Sequence, residues 1–384
     1  MKKFCFVIHN RANFARIQTV ITALQESTNV EVQVIFASSS MLHNFGKIDE
    51  YFRPRVQDKV ERIHNIVAGD RPVSMAKTTG LATIELAQSF ERLEPDVVVT
   101  VADRHETLAT AIAASYMNIP LAHTQGGEVS GSIDESVRHA CTKLSHLHFP
   151  ATENAREVII QLGEDPDMVF NFGCPAMDIA ELAPLRNAND VIRDYRGVGP
   201  ELDLSSKFIL VSHHAVTTHH ESAIVDNDTI LAAITELDLP TVWLWPNIDS
   251  GSENISKSIR RAREMSKNLP IKFYTNLSAI DYASLMKSTS CIVGNSSSGI
   301  RESAFLGVPS VNIGDRQKGR ERSENVIDVE YDKNQILSAV KSQISKKKFP
   351  RDFRYGVGKA GEKIAAVLKG TSIDTSKQFR KVML

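Results

Sequence analysis

Glu128, Asp134 and Glu135 fall within eight residues of one another, in the stretch that runs from His123 to His139. Gly126, Gly127 and Gly131 lie among them, and glycine lets a backbone come close to a bound molecule. A loop built only to turn would not need that density of acid. The plainer alternative is that Asp134 caps the helix that follows and Glu128 is solvated. Ile119–Ala122 reads as a short buried strand, and Ser136–Leu144 carries apolar residues at helical spacing. The acidic stretch is therefore a strand-to-helix loop, of the kind that binds ligands at the carboxyl ends of strands in open α/β sheets.

Other loops share that placement. Asp103-Arg-His-Glu106 directly follows the buried run Asp96–Val101, where polar residues cost burial energy unless they serve something there, so Asp103 is expected at an active site. His9–Arg16 places Arg11 and Arg16 after the first strand, where guanidinium forks suit a diphosphate; surface arginines are the alternative. Ser212–Glu221 holds four of the twelve histidines. Adjacent histidines on an extended loop point apart and no carboxylate spacing completes a site, so one histidine, His214, on a phosphate or sugar oxygen is favoured over a metal. Asn247 follows the strand that ends at Trp245. In Gly294–Glu302, Ser296, Ser297, Ser298 and Gly299 enter a helix and offer N–H groups to an anion, while Glu302 can take both hydroxyls of a ribose. The stretch has neither a Walker loop nor Gly-x-Gly-x-x-Gly, which removes most support for an NTPase or a dehydrogenase.

Apolar runs of strand length alternate with helical periodicity and supply the frame. Strands are predicted at Lys3–Ile8, Glu31–Ala37, Asp96–Val101, Leu147–Pro150 and Met168–Phe172, with helices at Val73–Leu93, Leu108–Tyr116 and Glu153–Leu162. The pattern loosens between Cys174 and Leu204, then resumes with strands at Lys207–Val211, Pro240–Trp245, Ile271–Tyr274, Cys291–Val293 and Pro309–Ile313. Alternation in both halves predicts an α/β chain with two Rossmann-like doubly wound domains facing a central cleft. The expected division is a first domain over 1–174 carrying the carboxylates, a crossing over 175–204 and a nucleotide-binding domain over 205–350. In the remainder, 351–384, a helix packs back on the first domain.

A length of 384 residues suits two domains, and a formal charge of −1 with a pI near 6.9 leaves no basic field for nucleic acid or a membrane surface. No apolar run reaches about 18 residues, and Met1–His9 turns polar too soon for a signal peptide, so a cytoplasmic protein is expected. Cys5, Cys141, Cys174 and Cys291 form no Cys-x-x-Cys pair and are expected to be buried thiols.

Taken together, Arg11, Asp103-Arg-x-Glu106, the loop from His123 to Asp134, His214-x-Val-Thr217, Trp245-Pro-Asn247 and Gly294–Glu302 resemble the signature loops of the UDP-N-acetylglucosamine 2-epimerases, over roughly residues 5–310. The resemblance implies the two-domain GT-B arrangement and, in its details, the hydrolysing branch. That branch converts UDP-N-acetylglucosamine and water to N-acetylmannosamine and UDP through a 2-acetamidoglucal, for sialic-acid-type sugars. It implies acid/base work for Asp103, Glu128 and Asp134. Diphosphate contacts fall to Arg11, Arg104, His214 and the Ser296–Ser298 amides, with Asn247 and Gly299 beside them and Glu302 on the ribose. No metal or redox cofactor is implied, and the assembly expected is a homodimer or homotetramer. Because site residues lie in both halves, catalysis is expected to need closure of the cleft, with the crossing as part of the hinge.

Two departures bear on the sugar: His9-Asn-Arg-Ala-Asn13 stands where the family usually has Gly-Thr-Arg-Ala-Asp, and Ala215 where it often has proline. A UDP- or GDP-linked 2,4-diacetamido-2,4,6-trideoxy sugar, on the way to legionaminic-type acids, is the nearest competing substrate. A GT-B glycosyltransferase and a non-catalytic nucleotide-sugar sensor remain the alternatives from other classes.

Overall fold

Phe4, Phe6 and Ile8 point to one side of the first strand and Cys5 and Val7 to the other, and all five are buried. A strand covered on both faces belongs in the middle of a parallel sheet. β1 (Lys2–Ile8) indeed lies between β2 (Val30–Phe36) and β4 (Val97–Val101), with Phe4 level with Val32 and Val97. β3 (Lys59–Arg62), β5 (Leu121–Thr124) and β6 (Leu147–Phe149) complete a parallel sheet in the order β3-β2-β1-β4-β5-β6. The computed structural model describes residues 1–42, 48–69, 71–130, 133–216, 222–246, 252–265, 269–346, 348–378 and 380.

The second sheet repeats the plan. β7 (Gly197–Val198) pairs antiparallel at one edge; β8 (Ile209–Ser212), β9 (Thr241–Leu244), β10 (Ile271–Tyr274), β11 (Cys291–Gly294), β12 (Ser310–Ile313) and β13 (Val326–Val329) are parallel. Their order, β13-β12-β11-β8-β9-β10-β7, reverses direction between β8 and β11, as the first sheet does between β1 and β4. The fold is therefore α/β with two doubly wound domains of the GT-B type. Crevices open where the order of a doubly wound sheet reverses. The loops after β1, β4, β8 and β11 are the ones that carry Arg11, Asp103, His214 and Ser296–Ser298.

Three segments differ from expectation. His9–Arg16 is largely a short helix, Arg11–Ala15, because the Asn10 side chain accepts from the Asn13 amide and caps it. Met168–Phe172 is no strand: it makes one bridge, His148 to Val169, and lays Phe170 and Phe172 against Phe149. Within 175–204 the chain forms the helices Ala176–Leu182 and Ala188–Arg193 as well as β7. Helix Ala360–Gly370 lies on helix Gln18–Gln25, and its first amides, Ala360 and Gly361, donate to the two oxygens of Asp178 at 2.9 and 2.7 Å. Among the described residues no helix is long and apolar enough to cross a membrane.

Candidate active site

β4 ends at Val101, and the next residue, Ala102, adopts φ 64°, a left-handed conformation uncommon outside glycine. The turn brings Asp103 to the cleft, and it is held from behind. His123 Nε2 donates to the Ala102 carbonyl at 2.8 Å, which fixes the proton on Nε2 and leaves Nδ1 to accept from the Thr142 hydroxyl at 3.2 Å. Burial keeps His123 neutral by pushing its pKa down to about 4. The motif histidine thus braces the turn and does not line the cleft.

Helix Ile133–Leu144 places Asp134 in its first turn and Arg138 one turn later. Arg138 is almost wholly buried, and its guanidinium donates to Asp103 Oδ2, to the Glu128 carbonyl and to Ser130 Oγ. Burial alone would raise the Asp103 pKa, but the Arg138, Arg320 and Arg16 guanidiniums outweigh it and hold the carboxyl well below the usual range. Glu128 is fixed more tightly still. Arg301 Nη2 donates to both of its oxygens at 2.6 and 2.5 Å, and Arg320 Nε stands 3.2 Å away. Burial again opposes ionisation, and Arg301, Arg320 and Arg138 override it, taking Glu128 down to about 2. A buried ion left without its partner costs several kcal/mol, so the pair is a fixed part of the site.

From the second domain, His214 is clamped through its backbone: its N–H donates to Asn295 Oδ1 and its carbonyl accepts from Asn295 Nδ2, both at 2.8 Å. Burial, reinforced by Arg316 and Arg11, keeps the imidazole neutral. Gly294, at φ +132°, passes so near β8 that a Cβ there would sit 2.2 Å from the Ser212 carbonyl. After it, the amides of Ser298 and Gly299 turn back to Ser296 Oγ and the Ser296 carbonyl at 3.4 and 3.0 Å. Ser298 Oγ lies 2.7 Å from the Tyr282 hydroxyl and 3.0 Å from Ser296 Oγ.

One cavity of about 340 Å³ gathers these groups. Arg11, Arg16, Arg104, Arg138, Arg316 and Arg320 line it, against Asp103, Asp134 and Glu302, an excess of cations that suits a multiply charged anion. Apolar wall comes from Phe14, Ile48, Ile179, Ala180, Leu277 and Met286. Arg11 reaches across to the Trp245 and Thr275 carbonyls at 2.9 and 3.0 Å, and Arg16 Nη2 to Ser297 Oγ at 2.8 Å, so both domains build one wall.

Of the residues singled out from sequence, Asp103, Asp134, Arg11, Arg104, His214, Ser296, Ser297, Ser298 and Glu302 come together in this cavity. Glu128 and Gly299 stand behind its wall, and Asn247 lies outside the described residues, as do Gly131, Thr217, His219 and His220. Sequence reading passed over Arg138, Arg301, Arg316 and Arg320. The last two had a signal: Gly314–Arg322 is a charged stretch directly after β12. The departures at the first loop are structural. His9 is buried with its ring nitrogens at Ser38 Oγ and Thr110 Oγ1, 3.1 and 2.9 Å away, and Asn13 Nδ2 donates to the Val101 carbonyl at 3.2 Å, which a carboxylate could not do.

A family model described as UDP-N-acetylglucosamine 2-epimerase matches residues 22–369. A curated relative from Legionella pneumophila, named UDP-N,N'-diacetylbacillosamine 2-epimerase (hydrolyzing), is 31% identical over 370 residues, 96% of each chain. One from Campylobacter jejuni, named GDP/UDP-N,N'-diacetylbacillosamine 2-epimerase (hydrolyzing), is 32% identical over 349 residues, 89% of this chain and 88% of that one. Among solved structures, Methanocaldococcus jannaschii UDP-GlcNAc 2-epimerase in complex with UDP-GlcNAc and UDP superposes with a TM-score of 0.76 at 21% identity, covering 96% of this chain and 99% of that one. That likeness speaks for the fold.

Proposed function

The chain belongs to the UDP-N-acetylglucosamine 2-epimerase family, and from that premise we propose that it is a hydrolysing 2-epimerase of a UDP- or GDP-linked 2,4-diacetamido-2,4,6-trideoxy sugar. The observation that carries the reading is the shared cavity, in which Asp103 and Asp134 face the same space as six guanidinium groups. A base and a clamp for a diphosphate leaving group are thereby held together. Asp134 removes the proton at C2 while the C1–oxygen bond to the nucleotide breaks, which leaves a 2-acetamidoglucal. Water then adds across the double bond, its hydroxyl to C1 and its proton to C2 on the face opposite Asp134, while Asp134 releases the abstracted proton to solvent, so the products are the free epimerised sugar and the nucleoside diphosphate. Arg11, Arg16, Arg104 and Arg316 neutralise the departing phosphates, with His214 as a neutral donor and the Ser296–Ser298 hydroxyls beside them. Glu302 holds the ribose. Glu128 stays ionised and, from behind the wall, holds Arg301 and the cavity-lining Arg320 in place.

UDP-N-acetylglucosamine, the first expectation from sequence, gives way to the diacetamido sugar because near-full-length relatives at 31% and 32% identity carry that name. The apolar lining supports the same choice, since a 6-methyl group exposes more apolar surface than a hydroxymethyl. The test is incubation with UDP- and GDP-2,4-diacetamido-2,4,6-trideoxyglucose and UDP-N-acetylglucosamine, without acceptor, followed by chromatography of the nucleotide. Release of nucleoside diphosphate is expected fastest from a diacetamido sugar. Faster release from UDP-N-acetylglucosamine overturns the substrate, and release only when an acceptor sugar is added overturns the reaction.

A further inference from the structure

Helix Ile133–Leu144 presents Asp134 at its amino end, yet nothing in the cavity holds its carboxyl end. That end is closed by the chain terminus. Lys377 Nζ donates to the carbonyls of Ser145, Lys143 and Thr142 at 2.5, 2.8 and 3.2 Å. The Thr142 carbonyl also accepts from the Ser145 amide at 3.1 Å, and all three carbonyls lie at the pole of the helix where a cation is favoured. The same ammonium ion pairs at 2.5 Å with Glu164 Oε2, a carboxylate 2% exposed that also accepts from Lys143 Nζ at 2.6 Å and faces His148 Nε2 at 3.1 Å. Arg380 anchors the tail further on, at 2.5 Å from Asp165. After helix Ala360–Gly370 the chain thus reaches the far side of the first domain. Residues 371–380 lie beyond the stretch that the family match covers.

We propose that this tail is a strap that positions the active-site helix, and that Lys377 is its positioning residue for the elimination. The inference rests on Asp134 acting at C2. A twelve-residue helix is about 18 Å long, so a tilt of about 3° at its carboxyl end moves the other end by roughly 1 Å, enough to cost as much as 10²-fold in rate. Arg138 rides on the same helix, so its grip on Asp103 shifts with it.

The test compares Lys377→Met, which keeps the stem and removes the donors, with Lys377→Arg, which restores a cation. Both are full-length chains. With the diacetamido nucleotide sugar, kcat of Lys377→Met is expected to fall about tenfold while KM stays within about twofold, and Lys377→Arg to recover most of the loss. Hydrogen exchange, read without substrate, is expected to lose protection in the peptide spanning 133–144 of Lys377→Met and not in peptides from β8 to β13. That readout stands even if the wild type turns over none of the sugars, which would sink the functional reading alone. Unchanged exchange in 133–144 overturns the strap. So does a loss of kcat no greater than the loss of folded protein, or one that Lys377→Arg leaves uncorrected.

Discussion

At the scale of single residues, the site is a set of carboxylates sorted by what surrounds them. Asp103 and Glu128 are wrapped in guanidinium groups that lower their pKa values and keep them ionised. Asp134 lines the cavity from the first turn of a helix and is the base of the account. Asp134→Asn keeps the size and loses the basicity, so kcat is expected to fall by about 10²- to 10⁴-fold with Tm unchanged. Release at the parental rate by a folded variant removes Asp134 from the chemistry. Residue types alone made the carboxylates visible, Asp103 because it closely follows an apolar run where acid is costly, Glu128 and Asp134 because acid is dense in one glycine-rich loop. The arginines that govern them were less visible. Arg138, Arg301 and Arg320 act by reaching carboxylates far away in sequence, and a long flexible side chain says nothing in sequence about where its head ends up.

At the scale of elements, two reversals of strand order place the catalytic loops, and local backbone shape finishes the work. Gly127 has φ +77°, and a Cβ there would sit 2.0 Å from the Ala155 carbonyl, so the loop after β5 can only pass helix Glu153–Gln161 as glycine. Gly127→Ala is expected to cost about 2 kcal/mol or more and to lower Tm by at least about 4 °C; a Tm within about 1 °C of the parent contradicts the close approach. The buried strands and amphipathic helices were legible because apolar periodicity states them directly. What periodicity missed has physical reasons. β3, Lys-Val-Glu-Arg, is an edge strand with polar residues, and β7 is two residues long. Met168–Phe172 alternates like a strand, but its rings cover an edge to which it pairs through a single bridge, too little to form a strand. The carboxyl-terminal strap has no periodicity at all, so its contacts with helix Ile133–Leu144 could be seen only in three dimensions.

At the scale of the whole molecule, the two sheets meet through charge as well as packing. Arg301 crosses to Gln125 and Glu128, Arg11 to the Trp245 carbonyl and Arg16 to Ser297. Near the crossing, Cys174 and Met177 pack with Ile300, Phe305 and Tyr355, so the two domains share one apolar cluster. Arg11 and Arg16 hold neutral oxygens across the cleft. A diphosphate would offer them charged ones, and charge-assisted bonds are roughly twice as strong. The proposed reaction stands on breakage of the carbon–hydrogen bond at C2 inside this cavity. Its most direct measurement is NMR of the free sugar formed from the diacetamido nucleotide sugar in deuterated water. Every turnover is predicted to leave deuterium at C2 of the inverted product; a released sugar that retains its original hydrogen there would contradict the account.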